Sequence, residues 1–463
     1  MKKVFLGIVF SLTLIFALAI FGASAAQEGS AVYNADTFLA MTPGNSYYLT
    51  NDIDLGGQTF TNYIFSEFHG KIDGNGYSVY NFTITGDANN ASDVAMILRA
   101  NKSGDLEICD INIGTADNHV KVVNLVVSGK SNGVLIGANQ DAYSCTLRNI
   151  SIYADVESPI PDSAKTNLGG FVGYCRRTTF ENCKMYGSIV CGGGQTSVAT
   201  VYRNAGGIVG AIKGEVVLTN CENHADIVNG PSSSEARAAG IAAYADGVAP
   251  VITGCKNYGN ITCLDYEDYT KYGWFSSDSY CAGIIGQINY VGSTITDCEN
   301  HGKLTGTNAT APILANAFSA DGRDTVTHTI TNCTNTGTYT GNALYVGEVY
   351  AKSHAVAEVV VSGCTNSGVT EDFTPQTTVK ETEPATPEET TTEGAVDETT
   401  VSTPEETTTP ATITTTKAPE ETTTAAQNVD NTEKKGCGGV AGIAVALTVI
   451  VSSFGAAVIV KKN

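Results

Sequence analysis

One short motif, repeated at nearly constant spacing, limits this chain more than any other feature. It reads Cys-x-Asn-x-small and occurs as Cys221-Glu222-Asn223-His224-Ala225, Cys255-Lys256-Asn257-Tyr258-Gly259, Cys298-Glu299-Asn300-His301-Gly302, Cys333-Thr334-Asn335-Thr336-Gly337 and Cys364-Thr365-Asn366-Ser367-Gly368. Cys183-Lys184-Met185-Tyr186-Gly187 has the same form with Met in place of Asn. The six cysteines are 38, 34, 43, 35 and 31 residues apart. A second element precedes several of these motifs: Gly169-Gly170-Phe171-Val172-Gly173, Gly206-Gly207-Ile208-Val209-Gly210, Ala239-Gly240-Ile241-Ala242-Ala243 and Ala282-Gly283-Ile284-Ile285-Gly286. A unit this short, made of brief apolar runs between glycines, cannot enclose a core alone and must stack on its neighbours. The spacing therefore predicts an all-β solenoid, a parallel β-helix with inserted loops. An array of two-sheet β-sandwiches is the competing arrangement.

In-register stacking would place equivalent residues about 4.8 Å apart on neighbouring coils. Like charges at one outward position would then repel. The residue after each Cys runs Lys184, Glu222, Lys256, Glu299, Thr334, Thr365, so the signs alternate. Two residues on come Tyr186, His224, Tyr258, His301, Thr336 and Ser367, a row suited to stacking side chain on side chain. Between them Asn223, Asn257, Asn300, Asn335 and Asn366 predict an amide ladder.

The Gly-Gly-Ile-Val-Gly boxes resemble the GLUG-type repeats of bacterial surface proteins. Tyr48-Leu49-Thr50-Asn51-Asp52-Ile53-Asp54-Leu55, followed by Phe68-His69-Gly70-Lys71-Ile72-Asp73-Gly74-Asn75-Gly76-Tyr77, resembles the opening coils of pectin-lyase-like right-handed parallel β-helices. The Thr/Glu/Pro-rich region and apolar C-terminus resemble those of anchored surface proteins of Gram-positive Clostridia. The resemblance implies a right-handed β-helix at a cell surface; it implies no particular activity, because one solenoid fold carries lyases, hydrolases and inert adhesins.

The two ends point the same way. Lys2 and Lys3, the apolar run Val4 to Phe21 and Ala23-Ser24-Ala25 predict a cleaved signal peptide over 1–25. The β-helical ectodomain is expected over 26–370. Residues 371–435 are mostly Thr, Glu, Pro and Ala, with 15 acidic and 4 basic residues, and predict a disordered, extended stalk. Residues 436–460 predict one transmembrane helix, since Gly438 to Val460 carries no charge over about 34 Å of helix. Residues 461–463 would be a cytoplasmic tail, leaving the N-terminal part extracellular on a single-pass anchor. The small residues around Cys437 also suit a lipid-anchor signal, but a tail ending in Lys461 and Lys462 argues for a retained span.

Within the 463 residues, 26 Lys and Arg against 47 Asp and Glu give a net charge of −21. That balance excludes nucleic acid as the natural partner. The thirteen cysteines sit in an exported chain, yet the six that share one repeat position predict a core row of thiols rather than bridges. Cys175 with Cys191, and Cys263 with Cys281, remain candidates for loop disulfides. There is no Cys-x-x-Cys pair to suggest zinc, and no cofactor is implied.

Function in a solenoid is expected in the loops between coils, which recur just before the glycine boxes. The segment from Leu264 to Tyr280 differs from the others. Tyr266, Tyr269, Tyr272, Trp274 and Phe275 are interleaved with Asp265 and Asp268. Flat rings for stacking beside acids for hydroxyls predict a site for glycan or for a cell-surface protein; packing of the rings on an adjacent coil is the competing reading. Catalytic parts are sparse. Asp52 with Asp54, or Asp265 with Asp268, are the only carboxylate pairs to propose for glycoside hydrolysis. His69, in Phe68-His69-Gly70, is expected in a solvent-exposed turn; His119, His328 and His354 have no evident partner, and no nucleophile motif stands out. The sequence thus points to a surface adhesin or binding protein, with a polysaccharide lyase or glycoside hydrolase, or a structural spacer, as alternatives.

Overall fold

The computed structural model describes residues 28–87, 93–100, 102–123, 131–139, 143–158, 166–192, 202–232, 235–265, 279–307, 309–319, 324–340, 349–353 and 357–368. The expected leader, stalk, membrane span and tail lie outside them. No helix among the described residues is long and apolar enough to cross a membrane.

The described part is all-β apart from one short helix. Its strands form three sheets, of 24, 6 and 9 strands, in which every inter-strand pairing is parallel. This arrangement is consistent with a β-helix. One coil shows the plan. Tyr202–Gly206 lies in the six-stranded sheet, Val209–Ile212 in the nine-stranded sheet, and Val216–Thr219, Glu222–Asn223 and Asp226–Ser232 in the large one. The next coil repeats it with Glu235–Ala239, Ala242–Asp246, Val251–Thr253, Lys256–Asn257 and Ile261–Asp265. Alternate residues point inward, and their apolar side chains make one continuous core running from Val32 to Ala357. The first described coils are closed by helix α1 (Ala35–Leu39), whose Asn34 cap accepts from Thr37 N at 2.9 Å. Phe38 of α1 is fully buried, edge-on to Phe65.

The corner before each repeat cysteine has its own conformational device. Asn182, Asn220, Asp297 and Asn332 have φ between 52° and 54°, as does Asn149 before Ile150, and Gly254 and Gly363 have φ of 65° and 64°. Such left-handed backbone is open to Gly and, among other residues, mainly to Asn and Asp. The residue before each repeat cysteine is therefore Asn, Gly or Asp on every coil. It bends the chain from the Val/Thr strand into the Cys-x-Asn strand.

Beyond that bend the side chains stack. Asn223 Nδ2 donates to Asn257 Oδ1, Asn257 to Asn300, Asn300 to Asn335 and Asn335 to Asn366, each at 2.8 Å. Asn223, Asn257, Asn300 and Asn335 are fully buried, and each also donates to the carbonyl two residues on, at 2.9 to 3.1 Å. The glycine boxes are set by this ladder. A Cβ on Gly207, Gly240 or Gly283 would lie 2.3 to 2.5 Å from the Oδ1 of Asn223, Asn257 or Asn300, so the box and the Cys-x-Asn motif occupy opposite sides of one contact. Outside, the rings of Tyr153, Tyr186, His224, Tyr258 and His301 stack at 4.6 to 4.9 Å within 14° of parallel. Beside them Lys184 pairs with Glu222 at 3.2 Å and Lys256 with Glu299 at 3.0 Å.

Cys183, Cys221, Cys255, Cys298 and Cys333 are fully buried and Cys364 partly so. The described cysteines are thiols, including Cys175, Cys191, Cys263 and Cys281, so neither candidate loop disulfide is formed. Burial pushes Cys145 and Cys281 up to about 12 and Cys191 up to about 11. These positions are filled as small apolar residues would fill them.

Candidate functional site

Between the six- and nine-stranded sheets the chain turns so sharply that the strands pack against each other away from the main core. A Cβ on Gly169 would lie 2.1 Å from Val172 O, and one on Gly173 2.3 Å from Asn132 N, which requires glycine at both. On later coils the same crease is lined by Ala239, Ala282, Ala311, Ala315 and Ala351, with Tyr280 and Ala309, as a second buried cluster.

Polar residues gather along this crease. By register, Ser131, Asn167, Asn204, Arg237 and Tyr280 form one row on successive strands of the six-stranded sheet. Asn167 Nδ2 donates to Ser131 Oγ at 3.2 Å, Asn204 Nδ2 to Asn167 Oδ1 at 2.8 Å, and Arg237 Nη1 to Asn204 Oδ1 at 3.2 Å. The opposing row on the nine-stranded sheet is Tyr174, Ala211, Tyr244, Gln287 and Asn316. Arg237, 3% exposed, joins the two: its guanidinium donates to Gln287 and Glu235 and lies 4.5 Å from the Tyr244 ring centroid and 5.6 Å from that of Tyr202. Burial lowers Arg237 to about 10, which leaves it charged at neutral pH. The Tyr244 hydroxyl donates to Asp246 Oδ2 at 3.0 Å and accepts from Asn289 at 3.1 Å. Burial first, and Asp246 next, raise that phenol above its usual range. Lys213 pairs with Asp246 and covers the Tyr244 ring at 4.8 Å. The amide Nδ2 of Asn316, a residue 1% exposed, has no hydrogen-bond partner among the described residues.

The segment singled out in the sequence is rooted here. Tyr266, Tyr269, Tyr272, Trp274, Phe275 and Asp268 lie outside the described residues. The backbone of Asp265 ends strand Ile261–Asp265 and pairs in register with Ser232. The chain re-enters at Ser279–Ala282, where Tyr280 is the register neighbour of Arg237. Segments 159–165, 193–201 and 233–234 leave and re-enter at the equivalent place on the preceding coils. The described strand ends that flank these insertions therefore fall at one place in the repeat.

The other candidates separate from this place. Asp52 accepts from Ser78 N at 2.8 Å, while Asp54 accepts from Gly56 N at 2.8 Å and Asn81 Nδ2 at 2.7 Å; both hold turns of the first coils. His119 meets Asp155 at 3.4 Å, and His328, fully buried, meets Ser293 Oγ at 3.0 Å, so each has the partner its sequence did not reveal. His354 lies outside the described residues. Asp73, Cys109 and Asp110 come within 4.8 Å of one another, but burial pushes the Cys109 thiol up to about 12, which disfavours the thiolate a metal would need. Sequence reasoning passed over Tyr202, Arg237, Tyr244 and Gln287. The available signal was an arginine in the middle of a short strand whose equivalents are asparagines.

No family model matches the chain, and no curated protein matches it significantly. Among solved structures there is a likeness to the crystal structure of a putative immunoglobulin A1 protease from Bacteroides ovatus, at 17% identity and a TM-score of 0.32, covering 75% of this chain and 78% of that one. At that TM-score the likeness carries no argument about activity.

Proposed function

We propose that the chain is a non-catalytic cell-surface adhesin whose head, a right-handed parallel β-helix of GLUG type, binds glycan through the insertions that recur at one place in the repeat. The observation that carries the reading is the rooting of segment 266–278 in the Arg237 crease. The segment holds five aromatic residues, with Asp265 and Asp268 beside them in the sequence, and the strands that flank it carry Arg237 against the rings of Tyr202 and Tyr244. Rings supply stacking area at low entropic cost, and acids accept sugar hydroxyls. The right hand is the one that connections between parallel strands adopt almost without exception. The leader, the Thr/Glu/Pro stalk and the terminal span complete a display device: export, spacing from the surface, anchorage.

The test is a glycan array probed with the purified full chain and with a Tyr272→Ala/Trp274→Ala double variant, followed by product analysis on each bound glycan. Binding abolished by the double substitution, with intact ligand recovered, supports the adhesin. Recovery of cleaved ligand replaces it with a surface lyase or hydrolase, and a wild-type chain that binds no glycan overturns the reading.

A further inference from the structure

A second recognition site lies on a different part of the solenoid. Leu106 N donates to Ser144 O, Cys145 N to Arg177 O and Thr178 N to Glu215 O, at 3.0 to 3.1 Å, and Leu106, Cys145, Thr178 and Val216 are register partners. The residues just before these four, Asp105, Ser144, Arg177 and Glu215, thus form one file across four consecutive coils, about 14 Å long at about 4.8 Å per step. All four are exposed. With Tyr143, Thr178, Thr179 and Val217 they line an open cavity of about 450 Å³. That is room for about fifteen waters, within the usual size of small-ligand sites.

The file reads acid, hydroxyl, base, acid. Asp105 Oδ1 accepts from both the N and the Oγ of Ser144 at 2.8 Å, which fixes the carboxylate and leaves its second oxygen as an acceptor. Glu215 adds acceptors at the other end, Arg177 donors between them, and Thr179 a hydroxyl. Tyr143 presents an exposed ring (43%) and Val217 an exposed methyl pair. Hydroxyl groups that both donate and accept, arranged around a ring with an apolar C–H face, match this set. Two carboxylates to one guanidinium, on a chain of net charge −21, repel an acidic ligand.

We infer that this cavity is a subsite for a neutral saccharide, with Tyr143 as the stacking platform and Asp105, Arg177 and Glu215 as the hydroxyl-binding groups. The inference rests on the glycan-binding reading but uses no residue of segment 266–278, so that the two can fail separately.

The test is saturation-transfer difference NMR on the full chain with maltotriose, cellotriose and triacetylchitotriose as neutral probes and sialyllactose as the acidic one. At least one neutral probe is expected to bind with Kd of about 1 mM or tighter, with sialyllactose at least about tenfold weaker. Tyr143→Ala should weaken the neutral probe about tenfold or more and Glu215→Gln about threefold to tenfold, while Lys303→Ala, at an exposed position of a later coil, leaves it unchanged. Tyr143 and Glu215 are surface residues, and unchanged melting temperatures confirm that the variants fold. Binding that survives both cavity variants, or is lost only in the adhesin's test variant Tyr272→Ala/Trp274→Ala, overturns the subsite and leaves the adhesin standing. A wild-type chain that binds none of the probes overturns the subsite, and the array decides the adhesin independently.

Discussion

The asparagine corner and the Arg237 crease are both buried, polar and stacked coil on coil, yet they are built on opposite terms. At the corner one residue recurs on five coils, and every amide is used by the next. In the crease the residue varies along the row, from Ser131 through Asn167 and Asn204 to Arg237, its one charge, and Tyr280, its one ring. Repetition of one neutral amide suits a structural seam, because each copy satisfies its neighbour whatever the number of coils. Variation at a fixed register gives each coil a different buried chemistry on the same backbone, and the long insertions are rooted beside that variable row.

The comparison breaks first at the centre of the ladder. Asn300→Ala removes the acceptor of Asn257, a donor to Asn335 and the donor to Gly302 O. Asn335 Oδ1 keeps Gly337 N, so two buried groups are left unpaired, and at about 1–3 kcal/mol for each a loss of about 2–6 kcal/mol is expected in chemical denaturation, against clearly less for Asn366→Ala at the ladder's end. Equal losses would mean that the amides act singly rather than as a chain.

A titratable group should behave as the neutral ladder cannot. Burial lowers His328 from 6.5 to about 4, so between those values the unfolded chain holds a proton that the folded chain does not. Its contribution is complete above pH 6.5 and is lost as pH falls toward 4, about 3 kcal/mol at the limit. Denaturation midpoints measured across that window should slope less in His328→Gln; an unchanged slope would assign the pH dependence elsewhere.

The crease should tolerate loss better than the corner. Arg237→Met leaves Gln287 and Asn204 without their donor but lets Glu235, 29% exposed, recover water, so about 1–3 kcal/mol is expected, again from denaturation. The larger effect should fall on glycan binding, through the scaffold beneath segment 266–278. A variant as damaged as Asn300→Ala would make the crease a second structural seam.

The smallest effect is sought on the exposed ring face. Burial works against ionisation of Glu222, but hydrogen bonds from His224 and Lys184 outweigh it and hold its carboxyl below the usual 4.5. Lys256 first, against burial and with help from His301, does the same for Glu299. Their stabilisation is present above pH 4.5 and fades as pH falls below it, by less than about 1 kcal/mol each because the pairs are partly solvated. Glu222→Gln/Glu299→Gln should lose less stability than wild type between pH 5 and 3 and show a weaker response to salt; an identical acid profile would leave these pairs without stabilising weight.

The sequence was most informative where side chains repeat. The spacing of Cys183 to Cys364 carried the all-β, stacked architecture, and the alternation of Lys184, Glu222, Lys256 and Glu299 carried the register idea, since stacked like charges repel. It was less informative where one coil differs from the next. Tyr153 belongs to the ring stack but lies on a coil without the cysteine motif, where Ile150 stands at the cysteine position. The left-handed residue before each cysteine was hidden by being Asn on some coils, Gly or Asp on others, three residues united by backbone freedom rather than by side-chain chemistry. The aromatic insertion was conspicuous in composition, whereas the crease that roots it was not.

What the sequence determined by itself is the period, and with it the rows: residues one repeat apart must meet when parallel strands pair in register. What only the tertiary structure decided is which rows face each other. Gly283 lies against Asn300, Arg237 reaches Gln287 across fifty positions, and Asp105 shares a cavity with Glu215, because those contacts depend on the angle at which each coil turns between sheets. That angle is set by backbone conformation and close packing at a few glycines, not by any spacing along the chain.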